Sequence, residues 1–354
     1  MYNDLDTPCL LLDLDAVEAN IARMAGLLAG TGVALRPHFK TPKTPEVARR
    51  QLEAGAIGIT VAKLGEAEVL VDAALGPILM ANQVVGRVKI DRLMALLARG
   101  ADVTTAVESE FNVRELADGA RRSGQRPAAV IEVDAGMHRC GTTSPEETVR
   151  LARSLVDAGI DYRGIMGYEG HMYGVPEESE RRKVIEAGLA RVMEHVEALA
   201  EAGLAPRIVS TSGTASAAIA AATPGVTELQ AGTYVFMDGY CERFVPDTFQ
   251  RALTLLTTVI AVRDGYAVCD AGIKSLTNEF GAPHSKDGSV KVARLSEEHG
   301  TITGDGVAAL RPGDRLEVVP SHGDSTLNLH DWYNVTRAGN VVDRWPILAA
   351  RKYT

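Results

Sequence analysis

The sequence predicts an α/β protein in which a (β/α)8 TIM-type barrel is followed by an all-β C-terminal domain. From about residue 33 to 232, short apolar runs alternate with longer stretches of helical period, which is the pattern of repeated βα units around a parallel sheet. After residue 240, strand-like runs follow one another with turn residues between them and without a long helical pattern. We therefore expect the barrel to comprise residues 14–240 and the β domain residues 241–354, joined by residues 1–13.

Eight runs are predicted as barrel strands, the number that closes this fold. They are Val33–Pro37, Gly58–Ala62, Ile78–Ala81, Val103–Ala106, Ala129–Val133, Tyr162–Gly167, Arg207–Ser210 and Thr227–Gln230. Asp15 and Glu18 form a predicted capping box for a helix before the first strand. The longest predicted helix carries an apolar stripe made of Ile185, Leu189, Val192, Val196 and Leu199.

The tail supplies the predicted strands of the second domain. They are Leu253–Val262, Tyr266–Cys269, Val290–Leu295, Arg315–Val319, Trp332–Arg337 and Asn340–Trp345. Their texture is typical of an all-β domain.

Composition excludes several classes of protein. Lys plus Arg at 37 against Asp plus Glu at 46 gives 37 − 46 = −9, so no basic excess attracts nucleic acid. No apolar run reaches the roughly 18 residues that a membrane span requires. The acidic first residues lack the pattern of a secretory signal, and the four cysteines are scattered without a CxxC pair, so we expect a cytoplasmic protein without disulfides or a thiolate metal site.

Two features suit chemistry at the C-terminal ends of the barrel strands, where this fold builds its sites. Lys40 follows the first strand and could act as a Schiff-base nucleophile. The Ser/Thr/Gly-rich segment 210–216 follows the seventh strand and residues 231–234 follow the eighth, where barrels commonly bind phosphate. Taken alone, a single lysine is more often a solvated surface residue and such a segment is more often a plain loop.

The order of short motifs resembles the alanine-racemase-like (fold type III) enzymes that use pyridoxal 5'-phosphate (PLP), in the branch of D-threonine aldolase and D-serine dehydratase. The resemblance covers essentially the whole chain. The matching motifs are Thr7–Asp15, Arg36–Lys40, Lys63–Ala67, Asn82–Gly86, Asp134 with Arg139–Gly141, Gly213–Thr214, Leu229–Tyr234, Asp270–Gly272, Glu298–Gly300 and Pro320–Asp324.

The resemblance implies roles for several residues. Lys40 would carry PLP, Arg139 would face the phenolic oxygen of the cofactor, and Tyr168 would lie near its ring. The phosphate-binding residues would be Gly213, Thr214, Gly232, Thr233 and Tyr234. The chain departs from the family where Thr211, Ser212 and Ala215 stand at positions that are frequently glycine.

A metal pair is predicted at His322 and Asp324. On an extended segment, side chains at i and i+2 point to the same side and can bind one ion. One imidazole and one carboxylate with water suit Mn²⁺ or Mg²⁺, and Zn²⁺ is possible. His-Gly-Asp is also good turn chemistry. In the resembling enzymes the pattern is His-x-Asp in the D-threonine aldolases and usually His-x-Cys in the D-serine dehydratases.

The resemblance thus implies a D-threonine aldolase, a lyase that uses PLP and a divalent metal to cleave D-β-hydroxy-α-amino acids to glycine and an aldehyde. Alternatives are a D-serine or D-threo-3-hydroxyaspartate dehydratase and a 3-hydroxy-D-aspartate aldolase. A PLP carrier without turnover is disfavoured, because such carriers lack a C-terminal β domain. The expected partners are a small D-amino acid and a second copy of the chain in a homodimer, with no nucleic acid and no membrane.

Overall fold

The computed structural model describes residues 2–354. The strands are β1 (Cys9–Asp13), β2 (Ala34–Leu35), β3 (Ile59–Val61), β4 (Ile78–Gln83), β5 (Val103–Val107), β6 (Ala128–Val133), β7 (Asp161–Gly167), β8 (Ile208–Thr211), β9 (Glu228–Leu229), β10 (Leu253–Arg263), β11 (Tyr266–Cys269), β12 (His284–Ser285), β13 (Lys291–Leu295), β14 (Gly300–Thr303), β15 (Arg315–Val319), β16 (Trp332–Arg337) and β17 (Asn340–Pro346). The helices are α1 (Leu14–Leu28), α2 (Pro45–Glu53), α3 (Leu64–Asp72), α4 (Arg87–Ala98), α5 (Glu110–Ser123), α6 (Pro145–Asp157), α7 (Glu178–Glu201), α8 (Ala217–Ala221) and α9 (Gly323–Leu327).

The chain divides into two compact units, which do not follow the predicted boundaries of 14–240 and 241–354. Within the described residues, unit 1 comprises residues 2–24, 41–46 and 233–351, and unit 2 comprises residues 25–40, 47–232 and 352–354. The start of α1 belongs to unit 1 because the Asn20 amide donates to the carbonyls of Val235 and Gln250. The last residues belong to unit 2, where the Gly65 N–H donates to the Thr354 carbonyl at 2.9 Å.

Unit 2 is built on an eight-stranded parallel sheet with the order β2-β9-β8-β7-β6-β5-β4-β3. A parallel bridge between His38 and Thr60 joins the chain after β2 to β3, so the two ends of the sheet meet. Strands β5 and β6 are buried along their whole length, as expected for strands covered by helices on one face and packed inside the sheet on the other. All eight predicted barrel strands are present, and α7 is the longest of the helices as predicted.

Unit 1 is built on a nine-stranded sheet with the order β11-β14-β13-β12-β15-β10-β1-β16-β17. Its pairs are antiparallel apart from β1 with β16. The long strand β10 also pairs with β11, which brings the two ends of a six-strand segment together. The six predicted tail strands are present, whereas β12 and β14 were not predicted because runs of two and four residues show too little periodicity.

The predicted capping box of the first helix is wrong by two residues. Helix α1 begins at Leu14, and the carboxylate of Asp13 accepts the Ala16 N–H at 3.2 Å. Asp15 and Glu18 instead bind the guanidinium of Arg337. The sequence does not predict these ion pairs, because Arg337 lies more than 300 residues from Asp15 and Glu18.

No helix within residues 2–354 combines the length and the apolar character that crossing a membrane requires.

Candidate active site

Lys40 lies at the carboxyl end of the first strand of the parallel sheet, as predicted. The Phe39 N–H donates to the Thr60 carbonyl at 2.7 Å, and the Lys40 N–H donates to Nδ1 of His38 at 3.3 Å. Below it, Arg36 is buried and binds Glu228 through two hydrogen bonds of 2.9 and 2.8 Å. The backbone before Lys40 is therefore held rigidly while its side chain is exposed.

Arg139 lies in the loop that follows β6. Its Nη2 is 3.9 Å from Oε1 of Glu132, and the Gln83 amide also donates to this carboxylate. Burial raises the pKa of Glu132, whereas the contacts of Gln83 and Arg139 oppose that shift. Asp134 accepts the N–H groups of the loop itself, so it shapes the loop, and Glu132 is the carboxylate beside Arg139.

Tyr168 and Gly213 are brought together by the ends of β7 and β8. A Cβ atom at Gly213 would lie 3.2 Å from Cε2 of the Tyr168 ring and 3.3 Å from its hydroxyl. A Cβ atom at Gly170 would lie only 2.2 Å from Cε1 of the same ring. Gly170 and Gly213 thus leave the space that the Tyr168 ring fills, and the predicted position of this ring beside the cofactor stays a prediction.

A buried glutamate organises the loop after β8. Glu169 is 1% exposed, and its carboxylate accepts hydrogen bonds from the hydroxyls of Ser216 and Thr211, the latter at 3.0 Å. Ser216 in turn accepts the Gly213 N–H at 3.2 Å. The buried Glu169 therefore fixes the loop through the two hydroxyl groups. The Gly213 N–H already donates to Ser216. Glu169 was not predicted as a site residue, because its partners lie more than 40 residues away in the sequence.

Replacing Glu169 by glutamine is expected to lower the free energy of unfolding by about 1–3 kcal/mol at pH 5, since a buried donor loses its acceptor. Burial raises the pKa of Glu169 above its ordinary value of 4.5 despite the hydrogen bonds that lower it. A raised pKa in the folded state means that the native protein binds the proton more tightly than the unfolded chain, so wild-type stability declines as pH rises from 4.5 through the raised pKa. The variant lacks this decline. The difference in free energy of unfolding between the two proteins, measured by urea unfolding, should therefore narrow towards pH 8. Glu197→Gln, on the exposed side of α7, is the control; a difference that does not vary with pH would contradict the assignment.

The remaining predicted phosphate residues follow β9. Gly232 is buried and ends the second segment of unit 2, whereas Thr233 and Tyr234 belong to unit 1. Tyr234 is fully buried and its ring centroid lies 5.7 Å from that of Phe249. Thr214, like Gly213, is in the loop after β8, as predicted. The packing of Tyr234 explains its burial, and its role towards a phosphate stays a prediction.

The parallel-sheet unit offers a fitting set of residues for PLP. It presents an exposed amine at one strand end, a guanidinium after another and an aromatic ring beside a glycine whose Cβ would crowd that ring. An amine, a cation for the phenolic oxygen and a small-residue loop for the phosphate are the protein groups that this cofactor needs.

His322 and Asp324 lie in unit 1, and the expectation of an extended segment is wrong. His322 precedes helix α9 in extended conformation, whereas Asp324 lies in the first helical turn. Gly323, between them, donates its N–H to Oδ2 of Asp238 at 2.9 Å. Burial raises the pKa of Asp238, whose other oxygen accepts the Cys241 N–H at 2.7 Å. The buried carboxylate of Asp238, which no sequence motif predicted, therefore holds the backbone between His322 and Asp324.

The donor atoms of the pair suit a metal ion. Oδ1 of Asp324 is buried and has no hydrogen-bond partner within residues 2–354, a costly condition that a cation would relieve. Nδ1 of His322 contacts Oε1 of Glu279 at 2.5 Å, which leaves Nε2 for coordination. No group of three or more His, Cys, Asp or Glu side chains suited to an ion occurs in the described residues.

Comparisons with known proteins identify the family. The family model of the alanine racemase N-terminal domain matches residues 12–239, and that of the putative serine dehydratase domain matches residues 252–336. A 3-hydroxy-D-aspartate aldolase of Paracoccus denitrificans (strain Pd 1222) is 35% identical over 99% of this chain and 93% of its own length. A D-threo-3-hydroxyaspartate dehydratase of Delftia sp. (strain HT23) is 33% identical over 96% of this chain and 97% of its own length.

A solved structure agrees with these sequence matches. The crystal structure of D-threonine aldolase from Filomicrobium marinum superimposes with a TM-score of 0.93 at 35% identity, covering 98% of this chain and 96% of that one. The relatives carry aldolase and dehydratase names, both of which are lyase activities, and the alanine-racemase-like fold implies PLP. The chain is a lyase that belongs to the alanine-racemase-like family of PLP enzymes, in the branch that contains D-threonine aldolase and the D-serine dehydratase-like proteins.

Proposed function

We propose that this protein is a D-threonine aldolase that uses PLP and a divalent metal ion to cleave D-β-hydroxy-α-amino acids into glycine and an aldehyde. The observation that carries the proposal is the aspartate two residues after His322: among the described residues 2–354, the buried Oδ1 of Asp324 has no hydrogen-bond partner. Carboxylate and imidazole with open positions suit Mn²⁺ or Mg²⁺, whereas the cysteine usual in the dehydratases would favour a softer ion such as Zn²⁺.

The proposed reaction needs residues that hold PLP and residues that hold the metal ion. When bound, PLP supplies an electron sink for the pair of electrons left on Cα as the Cα–Cβ bond breaks, and a divalent ion lowers the pKa of a hydroxyl that it contacts. Lys40 would hold the cofactor through its amine, Arg139 would stabilise the phenolate oxygen, and Tyr168 would pack beside the ring. His322 and Asp324 would hold the ion, and the loop after β8 would bind the phosphate.

Aromatic rings beside the metal pair support threonine as the substrate, and the Arg243 guanidinium, 5.9 Å from the centre of the Tyr240 ring, is a feature that would suit 3-hydroxyaspartate. The ring of Phe280 lies edge-on to that of His322, with the ring centroids 5.0 Å apart. It also stacks on the ring of Tyr240, with a centroid distance of 4.3 Å. A β-methyl group suits such an apolar surface, whereas a β-carboxylate needs a cation or hydrogen-bond donors. The 3-hydroxy-D-aspartate aldolase reading remains the nearest alternative, because a relative with that name is 35% identical.

The test is product analysis with the full-length protein, PLP and Mn²⁺, using D-threonine, D-serine and D-3-hydroxyaspartate in parallel and L-threonine as the control. Glycine and acetaldehyde from D-threonine, at the highest kcat/KM of the set, are the expected result. Glycine and glyoxylate formed preferentially from 3-hydroxyaspartate would make it the substrate. A keto acid with ammonia would replace the aldolase proposal by the dehydratase one. The homodimer and the cytoplasmic location stay predictions.

A further inference from the structure

A glutamate that the sequence motifs do not include lies next to the metal pair. Glu279 lies 43 residues before His322, in the segment between β11 and β12. Its Oε1 is 2.5 Å from Nδ1 of His322 and also accepts the hydroxyl of Ser325. Glu279 therefore contacts the residues at positions 322 and 325. The Ser325 hydroxyl also lies 3.0 Å from the hydroxyl of Thr277, two residues before the glutamate.

The chemistry of this contact determines which nitrogen of His322 is free. An ionised carboxylate only accepts hydrogen bonds, so Nδ1 must carry the proton and donate it. In the neutral ring the lone pair is then on Nε2. A ligating histidine that donates its other N–H to a carboxylate has its tautomer and ring orientation fixed and becomes a more basic ligand.

The ring of His322 is also fixed by packing. Phe280, adjacent to Glu279, contacts it edge-on with an interplanar angle of 78°. The backbone next to the ring is held by the bond between Gly323 and Asp238. The hydrogen bond, the ring contact and the backbone anchor together define the direction of Nε2.

We propose that Glu279 is a positioning residue for the metal site: it holds His322 in the Nδ1–H tautomer and so presents Nε2 to the divalent ion. The inference rests on the metal requirement in the proposed function. It assigns Glu279 an action through His322 and not a bond to the ion. Nothing in the chain's motifs points to this residue, which is why only the three-dimensional contact reveals it.

The experiment measures metal affinity apart from turnover. The full-length protein with PLP is freed of metal and titrated with Mn²⁺, whose free concentration is followed by electron paramagnetic resonance. Glu279→Ala should weaken binding by about 10–100-fold, the range typical of lost outer carboxylates. Glu279→Gln keeps an acceptor oxygen and should weaken it less. Glu297→Gln, which removes an exposed carboxylate paired with Lys274, is the matched control and should stay within about twofold.

A second readout reports the tautomer itself. In ¹⁵N-labelled, metal-free protein, the His322 resonances, assigned by their loss in His322→Ala, should show the Nδ1–H tautomer in the wild type and a shift towards Nε2–H in Glu279→Ala. A Mn²⁺ affinity of Glu279→Ala within twofold of the wild type, or an unchanged tautomer, would overturn the proposal. So would a loss of affinity as complete as that of His322→Ala, because Glu279 would then be a ligand.

The outcomes separate this inference from the proposed function. If the Glu279 variants lose Mn²⁺ affinity as expected while the products are a keto acid and ammonia, the positioning role stands and the aldolase proposal fails. If the wild type and His322→Ala bind Mn²⁺ equally, the metal site and the role of Glu279 both fail.

Discussion

Replacing Lys40 by alanine is expected to abolish the borohydride-reducible bond between the protein and PLP and to remove most turnover, because the amine that would hold the cofactor is lost. Lys40 is the exposed amine at the end of the first strand of the parallel sheet, and the chain before it is pinned by the bond from Phe39 to Thr60. The measurement is peptide mapping by mass spectrometry after reduction of the PLP-loaded protein, combined with turnover of D-threonine.

Two further variants make this result specific to the amine. Lys40→Arg retains the positive charge but cannot form the bond, and it should behave like the alanine variant. Lys89→Ala removes an exposed lysine of α4 and should leave both the adduct and turnover unchanged. An adduct that persists in Lys40→Ala would show that another lysine carries the cofactor.

The position of Lys40 illustrates what local sequence can predict. The predicted strand Val33–Pro37, followed by Thr44 and Pro45 at the start of a predicted helix, corresponds to β2 and α2 in the structure. The order of the eight strands follows from the βα pattern, because consecutive parallel strands joined by helices lie side by side. The units' boundaries are less predictable, since they depend on contacts such as that between Asn20 and the Val235 carbonyl.

The supporting carboxylates of the candidate site illustrate what local sequence does not predict. Glu169, Asp238 and Glu279 each bind a backbone or side-chain group that lies between 42 and 85 residues further along the chain. A single Glu or Asp has no periodicity and is most often a solvated surface residue. Only burial or a defined partner distinguishes these three, and both are properties of the fold.

The geometry of the metal pair was also beyond the sequence pattern. His-Gly-Asp was expected to be extended, and the chain instead turns into helix α9 at Gly323. The alternation rule for strands therefore does not describe this pair, and its role in metal binding stays a prediction. Two features support a role for the pair: the anchored backbone at Gly323, and Oδ1 of Asp324, which has no hydrogen-bond partner within residues 2–354.

Asp324→Asn is expected to remove most metal-stimulated turnover, with a fall in kcat of about 10²-fold or more. A metal acting as a Lewis acid contributes several kcal/mol to a transition state, and 1.36 kcal/mol corresponds to a factor of ten. The asparagine is nearly isosteric but carries no charge, so it isolates electrostatics from packing. His322→Ala should have a comparable effect. Turnover that does not change in chelator, in the wild-type protein, would contradict the metal role.

The same substitution should change stability in a way that needs no assay of activity. In the wild type, Oδ1 of Asp324 is buried without a hydrogen-bond partner among residues 2–354, which costs free energy that a bound ion would restore. Mn²⁺ at 100 times its Kd stabilises a protein by about 2.7 kcal/mol, so Tm should rise with Mn²⁺ concentration. Asp324→Asn should lose this rise, whereas Asp331→Asn, an exposed partner of Arg351 in the same unit, should retain it.

Asp324→Cys extends the argument from the presence of a metal to its identity. A thiolate is a softer ligand than a carboxylate, so the ratio of Zn²⁺ to Mn²⁺ affinity should rise in this variant. The wild-type pair of imidazole and carboxylate should tolerate Mn²⁺ and Mg²⁺, because hard ions prefer oxygen ligands. An unchanged ratio of Zn²⁺ to Mn²⁺ affinity would mean that residue 324 does not bind the ion, because exchanging a ligand oxygen for sulfur changes this ratio.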